Sequence, residues 1–316
     1  MPVHADPTFF ALSNPLSRPL HFVGLELVVI GCFVLTLRHA IGRFRDGERA
    51  PLFQWLVAFV YGIFMELIAF NYYQNYDHGQ FTIQLYHRLL PLYVVCVYPV
   101  FHYTGLKLVE RFALGAIAEP LVVGLAIALI DVPFDILGVD ARWWIWSNAD
   151  SKLAARWLGV PVTSYYWYLV FGAIYAAFCR MLRRRIEKRS LAAMGALAPL
   201  IAAATIVAGI VCFLPFHGLK ALGVNDGIIV AAHGAIVAAL ALRGWRPGAP
   251  PLARELVAVA LALISFHGVV LATLWARGLA ADAPLKAAAI ILASSATLGF
   301  ALPIAARARA AAASRT

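Results

Sequence analysis

The chain has 316 residues, 62% of them hydrophobic and only 13% charged, with a formal net charge of +10 and a mean hydropathy of +0.80. A soluble domain is closer to half apolar and a quarter charged, so this composition excludes one and points to a polytopic membrane protein. The positive charge does not indicate nucleic acid, because the arginines gather in short loops between apolar runs and no basic, aromatic-interleaved module exists.

Nine apolar stretches are each long enough to cross a bilayer, at about 20–38, 52–71, 86–107, 113–137, 160–182, 192–214, 225–243, 253–276 and 284–306. The first follows a mostly uncharged leader and has no small-residue cleavage site after it, which predicts a retained helix. Basic residues follow the odd-numbered stretches: Arg38, Arg43, Arg45 and Arg49; Lys107 and Arg111; Arg180 through Arg189; Arg243, Arg246 and Arg254; then Arg307, Arg309 and Arg315. The alternate loops hold far fewer, chiefly Arg142, Lys152 and Arg156, then Lys220, then Arg277 and Lys286. Positive charge stays inside, so the expected fold is an all-α, nine-span bundle of the cell membrane with its N-terminus outside and its C-terminus cytoplasmic. The Ala-Arg tail 305–316 is expected to fray.

One membrane domain, 1–316, is expected, with two unlike halves. Residues 50–180 are rich in aromatic, acidic and histidine residues, whereas 190–316 are dominated by Ala, Val, Leu and Ile. The second half therefore reads as packing scaffold. Cys32, Cys96, Cys179 and Cys212 lie far apart inside apolar stretches, which predicts small buried residues rather than disulfides or thiolate ligands.

An ionisable side chain in hydrocarbon is expensive, so each one needs a partner or a task. Asp131 and Asp135 are four residues apart, on one face near the outer end of the fourth span, with Pro133 between them expected to disturb the helix. Two carboxylates on one face in low dielectric cannot both ionise cheaply, and one that keeps its proton is a general acid. The structural alternative is a helix ending at the interface, with both acids hydrated or capping. Glu66 lies in the outer half of the second span, before the aromatic, amide-rich stretch Asn71–His78 that includes Tyr73. His87 and Arg88 open the third span at similar depth, so Arg88 is expected to pair with Glu66, either as a structural ion pair or as the tuner of a second acid or base. Glu26 is a further candidate, and Glu119, followed by Pro120, reads as structural.

Trp143, Trp144, Trp146 and Trp157 precede a second aromatic cluster, Tyr165–Tyr168, that contains Trp167. Such residues commonly form an interfacial belt, but rings facing a cleft also stabilise a carbocation through their π-faces. The substrate-binding candidates are Tyr73, His87, Arg88, Trp144, Trp146, Tyr165 and Trp167; the catalytic candidates are Asp131, Asp135 and Glu66. The histidines His78, His87, His102, His217, His233 and His267 are scattered without a metal-binding motif, and no nucleotide or haem motif occurs, so neither a metal nor a cofactor is expected. A metal-dependent His/Asp lipid hydrolase assembled from several helices is the alternative that leaves such a scattered trace.

The stretch from about 60 to 180 resembles the membrane carotenoid-biosynthesis family of bisanhydrobacterioruberin hydratase and the carotenoid 1,2-hydratases. The resemblance rests on Asp131 and Asp135, then Trp144-Ile-Trp146, Gly159-Val-Pro161 and the aromatic pair ending in Trp167, with the Glu66 helix and Tyr86 and Pro91 upstream. Ser164 stands where that pattern carries an asparagine. The resemblance implies an isoprenoid or other unsaturated membrane lipid as substrate, and hydration or cyclisation as the reaction. A non-enzymatic lipid or proton-coupled carrier, or a structural subunit with buried acids, is the reading from another class.

Overall fold

The computed structural model describes residues 8–148, 153–244, 249–279 and 282–302. Lys152, Arg246, Arg307, Arg309, Arg315 and the tail 305–316 lie outside the described residues. Among the described residues, nine helices are long and apolar enough to cross a membrane, so the protein is an all-α, multi-pass membrane bundle. The spans are α1 (Leu20–Arg45), α2 (Ala50–Ile68), α3 (Leu92–Glu110), α4 (Ala118–Asp140), α5 (Val162–Ile186), α6 (Leu191–Cys212), α8 (Asp226–Gly244), α9 (Arg254–Ala276) and α10 (Ala283–Ala301). A π-helical turn, Ala69–Tyr73, extends α2, and the short helix α7 (Leu214–Ala221) continues α6 through Phe213, whose φ of −80° and ψ of −16° are helical.

Two spans begin later than their hydropathy predicts. Tyr86, His87 and Arg88 all have left-handed backbone, with φ of 44°, 57° and 60°, so the third helix starts only after them, at Leu92. Ala113, with φ of 51°, delays the fourth to Ala118 in the same way. A left-handed residue cannot propagate a right-handed helix. Pro133, expected to disturb the helix between the aspartates, is carried inside a continuous α4.

The two ends of the bundle differ. At one end the basic loops are tied together: Glu187 accepts from the backbone of Arg49 and Ala50, at 2.8 and 3.2 Å, Arg180 pairs with Glu119, and Arg111 donates to the Pro250 carbonyl at 2.9 Å. At the other end the connections form short antiparallel strands that sequence periodicity did not reveal. β1 (Phe10–Leu12) pairs with β3 (Ile83–Leu85), which pairs with β4 (Leu90–Pro91); β2 (Tyr76–His78) pairs with β5 (Trp144–Trp146); and β6 (Arg156–Trp157) pairs with β7 (Val160–Pro161). Glu26 anchors this end, accepting from the amides of Thr82 and Ile83 at 2.9 and 3.3 Å, which gives it a structural task.

α3 and α4 are the most enclosed spans and α8 the most exposed. α4 packs chiefly on α5, and also on α3, α8 and α10, while α1 packs on α3 and α9 and α2 on α3 and α6. The two halves of the sequence are thus interleaved in space. The tight α4–α5 crossing depends on Gly124, where an added Cβ would sit 2.2 Å from the Leu169 carbonyl oxygen. Replacing Gly124 by Val forces backbone apart at the centre of the bundle and costs about 1–3 kcal/mol. Its thermal unfolding in detergent is expected several degrees below wild type, whereas Gly195→Ala, with nothing near the added atom, melts like wild type.

Candidate functional site

One cavity of about 290 Å³ opens among α2, α3, α4, α5 and the α6–α7 junction. It is built by helical periodicity. α2 and its π turn contribute Met65, Glu66, Ala69 and Tyr73; α3 contributes Val94, Val97, Tyr98, Phe101 and His102; α4 contributes Asp131, Phe134 and Asp135; α5 contributes Ser164, Trp167, Tyr168 and Phe171; and the α6–α7 junction adds Ile210, Phe213, Leu214 and His217. Each set recurs at three- and four-residue intervals, which brings one helix face to the cavity.

The β2–β5 ribbon closes the cavity at the strand end by the two-residue period of a strand. Tyr76 opposes Trp146 and His78 opposes Trp144, and all four line the cavity. The intervening Asp77 and Ile145 are exposed. Trp144 lies flat against α4 because residue 138 is glycine, where a Cβ would meet the indole at 2.1 Å. Phe134 and Trp144 have ring centroids 4.8 Å apart, and Tyr76 and Trp146 5.3 Å.

The acids lie at one depth. At 1.5 Å per residue, Glu66 is about 24 Å along α2 from the basic end, and Asp131 and Asp135 about 20 and 26 Å along α4. Asp131 and Asp135 are both buried inside the helix bundle, as a pair in low dielectric would be, and not hydrated or capping at a helix end as in the structural alternative. Asp135 Oδ2 accepts from Ser164 Oγ at 2.8 Å, and the Tyr168 hydroxyl lies against Asp131. Asp131 Oδ1 is buried without a hydrogen-bond partner.

Glu66 Oε1 accepts from Tyr76 and Tyr98 hydroxyls at 2.9 and 2.6 Å. His78 Nε2 is 3.5 Å from Glu66 Oε2, within ion-pair range but outside hydrogen-bond geometry. This corrects the expected pairing with Arg88. The left-handed run Tyr86–Arg88 carries Arg88 to an exposed position, and neither His87 nor Arg88 lines the cavity. Tyr165 does not line it either; its hydroxyl donates to the Trp157 carbonyl at 3.1 Å.

Of the sequence candidates, the cavity brings together Asp131, Asp135, Glu66, Tyr73, Trp144, Trp146 and Trp167. It adds Tyr76, His78, Tyr93, Tyr98, His102 and Tyr168, which sequence reasoning left out of the site. Tyr168 was within reach, since it is four residues from Ser164 and shares its helix face. His78 and Tyr76 depend on a long-range strand pairing, His78 with Trp144 and Tyr76 with Trp146, for which no local signal exists.

The lining contains three carboxyl groups and no lysine or arginine among the described residues. Buried polar atoms without a hydrogen-bond partner concentrate here: Glu66 Oε2, both ring nitrogens of His78, the Tyr93 hydroxyl, Asp131 Oδ1, and the indole nitrogens of Trp144 and Trp146. Such atoms are rare in a protein interior, and each calls for an explanation such as an ordered water, an ion or a catalytic task. No group of three or more His, Cys, Asp and Glu side chains is arranged to hold a metal ion among the described residues.

The model of a family described as a domain of unknown function, DUF7802, matches residues 15–219, and the chain belongs to this family. No curated protein and no solved structure matches it. Every residue lining the cavity falls between Met65 and His217, inside the matched stretch, while α8, α9 and α10 lie beyond it.

Burial, and then the neighbouring Glu66 carboxyl, push the Tyr76 phenol well above the ordinary tyrosine range. Tyr76 therefore remains a neutral donor as pH rises through about 10. Because the folded-state value is raised, its contribution to stability is complete below that pH and drains away above it. In an alkaline absorbance titration of the native protein, Tyr76→Phe is expected to leave the tyrosinate step through about pH 10 unchanged; loss of one tyrosine's worth of signal contradicts this burial.

Proposed function

We propose that this DUF7802 member is a cell-membrane enzyme that protonates a carbon–carbon double bond of an isoprenoid or similar unsaturated lipid, giving a hydrated or cyclised product. The observation that carries the reading is a contrast among the enclosed acids. Glu119 pairs with Arg180, Glu110 with Lys107, Asp140 with Lys286 and Asp226 with Lys220, and Glu26 holds two backbone amides. Among the described residues, Glu66, Asp131 and Asp135 are the acids that face a shared cavity with hydroxyl and imidazole neighbours and no lysine or arginine. A helix lock resembles the first group. A site for acid chemistry resembles the second.

In this mechanism the Asp131–Asp135 pair shares one acidic proton. Ser164 fixes Asp135 and Tyr168 fixes Asp131. The proton passes to the terminal alkene carbon as the π bond breaks, leaving a tertiary cation and an aspartate pair one proton poorer. The faces of Phe134, Trp144, Tyr93 and Trp167 line the space around that cation, each face contributing about 0.5–2 kcal/mol when desolvated. Water then adds to the cation and yields its proton to Glu66, beside which His78 stands. In the cyclising variant an internal alkene attacks, and loss of a neighbouring proton restores the acid. The same cavity without chemistry is a carrier's binding site, which is the competing reading.

A positioned acid supplies about 10²–10⁴-fold. Turnover of an isoprenoid substrate in D₂O is expected to place one solvent deuterium on the product carbon that received the proton. Asp131→Asn/Asp135→Asn is expected to lower that rate by about 10²–10⁴-fold without changing the melting temperature by more than a few degrees. Deuterium-free product, or undiminished turnover in the double variant, overturns the mechanism. A pH-dependent lipid flux with no new chemical species assigns the cavity to a carrier instead.

A further inference from the structure

Among the residues that line the cavity, four are also exposed on the protein surface: Tyr73, Ile210, Leu214 and His217. All four lie on one side. Tyr73 ends the π turn of α2, and the other three flank Phe213, where α6 passes into α7. α2 and α6 pack against each other, so these residues form one mouth. The remaining helical walls, and the strand ribbon above, are set by buried or half-buried residues.

The surface around this mouth is apolar. Leu200, Val207, Ile210 and Val211 of α6 and Leu214 at the start of α7 are all exposed, a stripe of large aliphatic side chains running from the middle of α6 to the opening. On a membrane span such a stripe faces hydrocarbon. Ile210 lies about 29 Å along α6 from Leu191 at 1.5 Å per residue, which matches the roughly 30 Å thickness of the hydrocarbon core. The mouth therefore sits at the edge of the hydrocarbon, flanked by Tyr73 and His217, residue types suited to the headgroup boundary. The cavity volume of about 290 Å³ is at the lower limit of ligand pockets.

We infer that the mouth between the π turn of α2 and the α6–α7 junction is a lateral portal through which a long-chain isoprenoid lipid enters end-on from the bilayer. Its terminal unit reaches Asp131 and Asp135 while the rest of the chain stays in lipid along α6. The inference rests on the isoprenoid reading above and adds to it the class of substrate, one long enough to bridge portal and acids and dissolved in the membrane rather than in water. It also explains why the family match continues through α6 to residue 219, beyond the acidic and aromatic stretch.

The test uses the full chain in phosphatidylcholine nanodiscs with two photoactivatable polyprenols of four isoprene units, one carrying a diazirine on the terminal unit and one at mid-chain. The terminal probe is expected to label α4 and α5 around Phe134 and Tyr168, and the mid-chain probe Tyr73, Ile210 or Leu214. Ile210→Trp and Leu214→Trp, each checked for wild-type melting, are expected to cut cavity labelling by about tenfold. Leu200→Trp, on the same lipid-facing stripe but away from the cavity, leaves it unchanged. Cavity labelling that persists within twofold in both portal variants overturns the portal and leaves the isoprenoid reading standing. Absence of cavity labelling in the wild-type protein overturns both.

Discussion

Three carboxyl groups are held in one layer of a membrane bundle with no lysine or arginine among the described residues beside them, and much of the architecture follows from that constraint. Removing a carboxylate from water is expensive, and the usual remedy is a lysine or arginine in contact. The bundle uses that remedy at Glu110, Glu119, Asp140 and Asp226, among others. Around Glu66, Asp131 and Asp135 it uses tyrosine and serine hydroxyls and an imidazole instead. Hydroxyls hold the acids in place without neutralising them. The proton is then left as the remaining way to neutralise the pair, which makes the site suited to proton transfer.

The enclosure that keeps these acids from bulk water comes from several distant parts of the chain. Gly124 allows α4 and α5 to touch, so that Ser164 and Tyr168 reach the aspartates. Gly138 lets Trp144 lie on α4 as the roof, and the β2–β5 ribbon holds Tyr76 and His78 beside it. α6, from the Ala-rich half, supplies the lipid-facing wall. The two halves are thus unequal in chemistry but both are needed for the cavity.

The helices were legible in the sequence because hydrocarbon imposes a length and a composition on every span. Asp131, Asp135 and Glu66 were legible because a charge inside such a span has few explanations. Trp144, Trp146 and Trp167 stood out as aromatic, and the structure turns their rings to the cavity. The errors have local causes. Tyr165 and Tyr168 are three residues apart in one aromatic run, and only the helix face, read from Ser164, separates the half that enters the cavity from the half that does not. Arg88 fits Glu66 by charge and depth, but three left-handed residues in succession divert the chain before α3 begins. His78 and Tyr76 reach Glu66 through a strand pairing that hydropathy does not encode.

The most direct test of the acid-chemistry account is mass spectrometry of total lipid extracts from a polyene-producing host, comparing the wild-type chain with Asp131→Asn/Asp135→Asn at matched membrane abundance. The account predicts an isoprenoid species that is heavier than its precursor by one water, or isomeric with it, present with the wild-type chain and missing with the variant. Identical profiles from both, at equal abundance and with the precursor present, contradict it.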